Sequence, residues 1–254
     1  MYSSAIHCAF NIWNEKMNNI AAIFKKEFRS YFNSPIAYIF ITFFLALSAW
    51  FFFRGFFLVG QAVMRGFFSW VPWIFLLFIP AVTMKLWAEE KKIGTVEILM
   101  TLPIKDYEVV LGKYFASFCL LGVTILLSLS IPITVAYLGE PDGGPILGGY
   151  IGLFLMGGAY LAIGMFASTI TENQIVAFIL GIVMCFTLLI IGEDIVLFNA
   201  PDWIVPIFSY LGLGAHFSSI LRGVIDSRDL IYYFSVIGFF LYLSVLMVTV
   251  QKWR

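Results

Sequence analysis

Hydrophobic positions along this chain fall into long unbroken runs, each ended by a short polar break. The runs cover Pro35 to Phe53, Phe67 to Met84, Tyr107 to Leu138, Ile146 to Ile170, Gln174 to Ile191 and Leu230 to Val250. At about 1.5 Å per residue, roughly 20 apolar residues cross a hydrocarbon core, so each run has the length of a transmembrane helix. The pattern predicts an all-α integral membrane protein with six transmembrane helices. Trp70 and Trp73 read as interfacial anchors, and Pro80 as a kink in the second run. The third run exceeds a bilayer, so its first turns are expected to project beyond it.

Two stretches depart from this pattern. From Ile20 to Asn33, Ile20, Phe24, Phe28 and Tyr31 share one helical face while Lys25, Lys26 and Arg29 fall elsewhere. A basic amphipathic helix of that kind lies in the headgroup plane, and Ser34 followed by Pro35 starts the first span behind it. The second stretch, Lys85 to Lys113, is the one long charge-dense segment. Leu86, Ile93, Val96, Leu99 and Met100 approximate an apolar stripe beside Glu89, Glu90, Lys91, Lys92 and Glu97. Gly94 interrupts the stripe and Thr95 suits a cap, which predicts two short helices with a bend between them. Pro103 stops the second, and Asp106 is expected to cap the next span with Glu108 in its first turn. A bent, charged helix pair at a membrane surface suits docking into a groove on another protein. A solvated loop has the same composition, and chemistry alone leaves both open.

Other breaks carry less. Residues 139–145 and 171–173 read as turns, with Asn173 or Thr171 capping the fifth span. Ser117, Thr124 and Ser128 form a weak polar stripe on the third span, expected to meet a partner helix. Gly148, Gly152, Gly157, Gly158, Ala162 and Gly164 make the fourth span a close-packing helix. Residues 192–229 are partly apolar and broken by Pro201 and Pro206, predicting one or two short helices lying on or dipping into the outer leaflet. Asp226 and Asp229 have capping spacing for the last span. His216 and Arg222 have no such account, and with Asp226 they are candidates for an extracytoplasmic contact, loop packing being the alternative for the first two. Residues 1–19 are poorly defined, show no signal-peptide pattern, and allow a start at Met1 or Met17.

Composition sharpens the class. The chain is 61% hydrophobic and 12% charged, against about half and about a quarter in soluble domains. Net charge is +0, which gives no pointer to nucleic acid. Cys8, Cys119 and Cys185 have no paired spacing, so neither a disulfide framework nor a metal site is suggested. Most basic residues fall on the side of Lys25 and Lys91, with Arg54, Arg65, Arg222 and Arg228 opposite. The positive-inside rule then places both termini and the charged segment in the cytosol. Catalytic and metal motifs are missing, and the spans carry almost no ionisable group at mid-depth, which disfavours an ion-coupled carrier.

The order Glu90, Lys91, Gly94, Thr95, Glu97, Leu99, Pro103, then Leu111, Gly112, Lys113 resembles the signature of type-2 ATP-binding-cassette (ABC) permeases. That signature reads E-(K/R)-x-x-G-T-x-E-x-L-x-x-x-P followed by L-G-K. TENQIVAFILG and HFSSILRGVIDSRDLIYYFSVI resemble the gliding-motility and copper-site-maturation members of that family. The resemblance implies one transmembrane domain over 1–254, with an interfacial elbow helix at 20–34, a cytosolic coupling segment at 85–106 and an extracytoplasmic loop at 192–229. It implies ATPase-coupling roles for Glu89, Glu90, Lys91, Gly94, Thr95, Glu97 and Pro103. The chain itself would be non-catalytic and hold no cofactor, with ATP and Mg bound by a separate cytosolic ATPase subunit. Further implied partners are a second permease copy or related permease, membrane lipids, and in some members an extracytoplasmic protein. The setting implied is a bacterial cytoplasmic membrane. Two rival readings remain: a scaffold that transmits ATPase-driven force without moving solute, and an ATP-independent channel or lipid scramblase.

Overall fold

The computed structural model describes residues 19–59, 63–95, 104–139, 141–198, 201, 203, 205–223 and 226–251. Expectations for residues 1–18, for the second short helix, and for Glu97 and Pro103 lie outside them. Among the described residues every regular element is helical. In chain order these are α1 (residues 19–33), α2 (Pro35–Val59), α3 (Arg65–Thr83), α4 (Ala88–Ile93), α5 (Asp106–Leu127) and α6 (Ser130–Leu138). There follow α7 (Gly143–Ile170), α8 (Gln174–Ile190), α9 (Asp194–Leu197), α10 (Val205–Leu211), α11 (Leu213–Ile220) and α12 (Ser227–Gln251).

Among the described residues five helical stretches are long and apolar enough to cross a membrane: Ala37–Phe57, Arg65–Ile93, Asp106–Leu138, Gly143–Ile170 and Ser227–Gln251. Helix α8 is apolar but has 17 residues, at the lower limit for a span. Asn173 caps it, accepting the Ile175 N–H at 2.9 Å, while Thr171 Oγ1 accepts the Asn173 N–H at 3.1 Å. The first span runs past Arg54, where the polar residue suggested an end, and continues to Val59. One charge on a helix edge does not stop a helix whose backbone stays hydrogen-bonded.

The third span is where the pattern misleads. Its apolar run is continuous, yet the helix breaks at Ser128 and Leu129. Pro132 has no N–H to donate to the Ser128 carbonyl. That carbonyl instead accepts the Ile131 N–H at 3.0 Å and the Tyr150 hydroxyl at 3.1 Å. A hydroxyl from α7 thus fills the gap left by the proline.

Helix α7 lies at the centre and packs chiefly against α12, α8 and α3, with α5 and α11 beside them. Its small residues are notches for neighbouring side chains. A Cβ on Gly149 would stand 2.5 Å from the Phe68 ring, on Gly157 2.5 Å from Leu121, and on Gly164 2.2 Å from the Thr83 hydroxyl. On its outer half, Gly148 faces the Ile220 carbonyl and Gly152 the Phe217 ring, so α11 lies across α7. The same glycines that read as close-packing in sequence are filled from within this chain. Gly164→Val is therefore expected to cost about 1–3 kcal/mol by overpacking. Thermal unfolding in detergent checks this, and an unchanged midpoint would show that α3 and α7 can part without penalty.

The polar stripe of α5 also meets partners. Ser117 pairs with the Tyr31 hydroxyl at 2.9 Å and Ser128 with Tyr150 at 3.3 Å, while Thr124 bonds only its own helix, at the Leu120 carbonyl.

Candidate functional site: a charged helix wired to the spans

The chain leaves α3 at Thr83, makes turns through residues 84–87, and enters α4. No residue beside α4 caps its first turn; Trp87 has no capping side chain. Ser168, near the end of α7, supplies the cap from another helix. Its Oγ accepts the N–H groups of Trp87 and Ala88, both at 3.1 Å, and donates to the Met84 carbonyl at 3.0 Å. One donor and two lone pairs are all a hydroxyl has, so Ser168 is fully used. At the other end Gly94 adopts φ 77°, ψ 8°, and its N–H returns to the Glu90 and Lys91 carbonyls. This is a left-handed C-terminal cap, which glycine adopts without a Cβ clash. The Thr95 hydroxyl donates back to the Glu90 carbonyl at 3.2 Å, and beyond the Gly94 turn Thr95 is itself helical again.

Charge then ties α4 to α5 and α1. Lys113 is 1% exposed, and its ammonium reaches Glu90 Oε1 at 2.7 Å, Glu27 Oε1 at 3.4 Å and the Leu86 carbonyl at 2.8 Å. An ammonium has three N–H groups, and each here has an acceptor. The Trp87 ring lies 5.1 Å from the same nitrogen, close enough for a cation–π contribution. Gly112 explains how α1 gets near: a Cβ there would lie 2.7 Å from Ile23 Cγ2 and 3.3 Å from the Ile20 carbonyl. In the L-G-K triplet, glycine admits α1 and lysine binds it to α4. Tyr31 seals the same contact, and burial pushes its phenol up, the Ser117 hydrogen bond opposing and Glu27 adding to the rise.

Further bonds gather the remaining helix ends. Lys91 Nζ donates to the Thr169 carbonyl, which also accepts Gln251 Nε2 from α12 at 3.0 Å. Burial pulls the Lys91 ammonium below its ordinary value, and Glu172 partly restores it. Asp106, expected as the cap of α5, is instead its first helical residue and accepts the Thr249 hydroxyl at 3.0 Å. Lys105 takes the capping position, with its N–H on Glu108 Oε2 at 3.3 Å. Glu108 is 2% exposed and also accepts Asn19 Nδ2 at 3.2 Å.

Of the residues singled out by sequence, Glu90 and Lys91 point into the chain. Glu89 is half-buried in a cleft beside α1, and Lys92, Ile93 and Thr95 face outward, Ile93 being 66% exposed. Glu27, Lys113 and Ser168 were passed over as site residues. Glu27 hid in a basic helix, and Ser168 in an apolar run; only Lys113 carried a signal, as the end of L-G-K.

At the opposite end of the bundle, His216 and Asp229 meet. His216 Nδ1 lies 2.6 Å from Asp229 Oδ1, and Nε2 lies 2.9 Å from the Tyr210 carbonyl. Both ring nitrogens thus face acceptor oxygens, while Asp229 Oδ2 has no hydrogen bond among the described residues. Tyr232 stacks on the imidazole at a centroid distance of 3.9 Å. Asp229, read in sequence as part of a helix cap, is 5% exposed and serves as the partner of His216. Asp226 does the capping, accepting the Arg228 N–H at 3.1 Å. His216 is thereby buried with both nitrogens engaged, while Arg222 and Asp226 remain exposed. Among the described residues no group of histidine, cysteine and carboxylate side chains is arranged to hold a metal ion.

Residues 71–251, from the second span to the end of α12, match the family model of ABC-2 family transporter proteins. No curated protein matches the chain.

Proposed function

The chain belongs to the ABC-2 family of transporter proteins, and from that premise we propose that it is the non-catalytic permease subunit of an ABC exporter driven by a separate cytosolic ATPase. In this reading α8 is the fifth of six spans, α1 is the elbow, and α4 is the first half of the coupling helix. The ATPase binds ATP and Mg and meets the outward turn of Lys92, Ile93, Gly94 and Thr95, while a coupling role for Glu97 and Pro103 rests on the sequence resemblance alone. Glu89, Glu90 and Lys91 carry the push inward. The single observation behind this is that α4 is fastened to the bundle by side-chain bonds through Ser168, Lys91 and Lys113. A force on its tip therefore reaches α7 through Ser168 and α5 through Lys113. Two permeases, as a homodimer or with a related chain, enclose the path, and the weakly charged spans suit an apolar or amphipathic substrate. Both termini face the cytosol of a bacterial inner membrane, as the basic residues indicate.

Gly94→Pro tests the docking. Proline fixes φ near −65°, whereas Gly94 needs 77° and donates its N–H, so the turn is lost. Mass spectrometry of what co-purifies in mild detergent should find an ATPase with wild type and lose it with the variant. If no ATPase is recovered under any condition, the reading fails in favour of an ATP-independent channel or scramblase. A second reading, force transmission to an extracytoplasmic protein as in gliding-motility-type members, is favoured by the exposure of Arg222 and Asp226 on the far side. A large outer protein in the same pull-down, released by Arg222→Glu, would select it.

A further inference from the structure

A cleft of about 550 Å³ lies between α1, the start of α2, and the turn that leads into α4. Its charged lining is balanced: Lys26, Lys85 and Lys113 against Glu27, Glu89 and Glu90. Most of these charges already have partners. Lys113 holds Glu27 and Glu90, and Lys26 at the rim lies 3.6 Å from Glu27. Lys85 and Glu89 are left over. Both are half-buried, both line the cleft, and neither forms an ion pair among the described residues. Four positions apart, they would pair with each other on a regular helix, but Lys85 lies in the turn before α4 and the pair stays open.

Half-buried charges without partners are costly, and a ligand bearing one charge of each sign relieves both without adding net charge. The depth of the cleft narrows the choice. One wall is α1, which contributes Lys26, Glu27, Ser30 and Tyr31 and whose basic amphipathic sequence suits the headgroup plane. The lining also includes Pro35, the first residue of the first span, so the cleft lies where α1 meets that span. We propose that this cleft binds the zwitterionic headgroup of an aminophospholipid of the phosphatidylethanolamine type. The phosphate sits on Lys85 and the primary ammonium on Glu89, with acyl chains running along α2. A primary ammonium has N–H groups to give to a carboxylate, which a trimethylated amine lacks, and a purely anionic headgroup would leave Glu89 unpaired. Both charged groups of the site come from this chain, so its lipid contacts can be read without the ATPase.

The test uses the full chain purified from a membrane containing both phosphatidylethanolamine and phosphatidylglycerol, with the retained lipid quantified by mass spectrometry after stepwise delipidation. Wild type should keep phosphatidylethanolamine selectively. Lys85→Gln and Glu89→Gln should each weaken retention about tenfold, the loss of one charge-assisted hydrogen bond. The charge-swapped double variant Lys85→Glu, Glu89→Lys should recover part of it, which separates a lost ligand contact from a damaged fold. Equal retention of the two lipids by wild type, or unchanged retention in both single variants, overturns the proposal. Binding of free phosphoethanolamine as tight as that of the lipid assigns the cleft to a soluble zwitterion and overturns the lipid source.

Discussion

Lys113→Ala is expected to destabilise the chain by about 3–5 kcal/mol, because it leaves Glu90 without its ion-pair partner and Glu27 with only the exposed Lys26. Glu27 and Glu90 keep only 14% and 21% of their side-chain surface, so solvent cannot replace the lost ammonium fully. The Leu86 carbonyl loses a donor as well. The substitution also unfastens α1 and α4 from α5 together, so the ATPase should be lost from the purified complex even where the spans remain folded. Combining Lys113→Met with Glu27→Gln and Glu90→Gln removes the charges along with their partner. Replacing a whole buried ion cluster by neutral groups is far cheaper than breaking it. Thermal unfolding followed by intrinsic fluorescence should therefore show a large drop for the single variant and recovery of most of it in the triple. A triple variant no more stable than Lys113→Ala would mean that packing, and not charge, holds this junction.

His216→Leu should cost a similar amount, about 3–5 kcal/mol, for the same physical reason at the other end of the molecule. Asp229 would stay buried with neither oxygen partnered, since Oδ2 already has no hydrogen bond among the described residues. The imidazole also joins α11 to α12 and to the Tyr210 carbonyl, so its loss should free α11. Tyr233 gives a second tie, its hydroxyl on the Leu213 carbonyl at 2.8 Å, which should keep the spans themselves folded. The double variant His216→Leu, Asp229→Asn should regain much of the loss. Hydrogen exchange of residues 205–223 reads the local effect directly. Unchanged protection there in His216→Leu would show that the pair is incidental to how α11 is held.

Much of this molecule was legible from periodicity. Long apolar runs force helices wherever the backbone must satisfy itself without water, which is why the bounds of helices α3 and α8 agreed to within a few residues. The glycines of α7 were legible as a close-packing face, though not which neighbour each one admits. Pro132 was overlooked because the run around it stays apolar, and a break repaired by Tyr150 has no local signature. The end of the first span was misjudged because Arg54 looks like a boundary in a pattern read by polarity alone.

The charged segment shows the same division. Its bend was readable: Gly94 was expected to interrupt the helix, and in the structure it does so as a left-handed cap. Its wiring was not. Glu90 and Lys91 looked like outward contacts because charge in a linear chain reads as solvated surface, and only folding brings Lys113 and the Thr169 carbonyl against them. His216 and Asp229 lie 13 residues apart, too far for any local rule to pair them.

The sequence by itself determined the membrane class, the existence of the helices and the family, since each depends on composition, period or order along one strand of chain. Tertiary structure alone decided which charges are spent within the molecule and which face outward. Ion pairs between distant helices form where packing removes water and brings opposite charges together, and neither condition is written in any single stretch of residues.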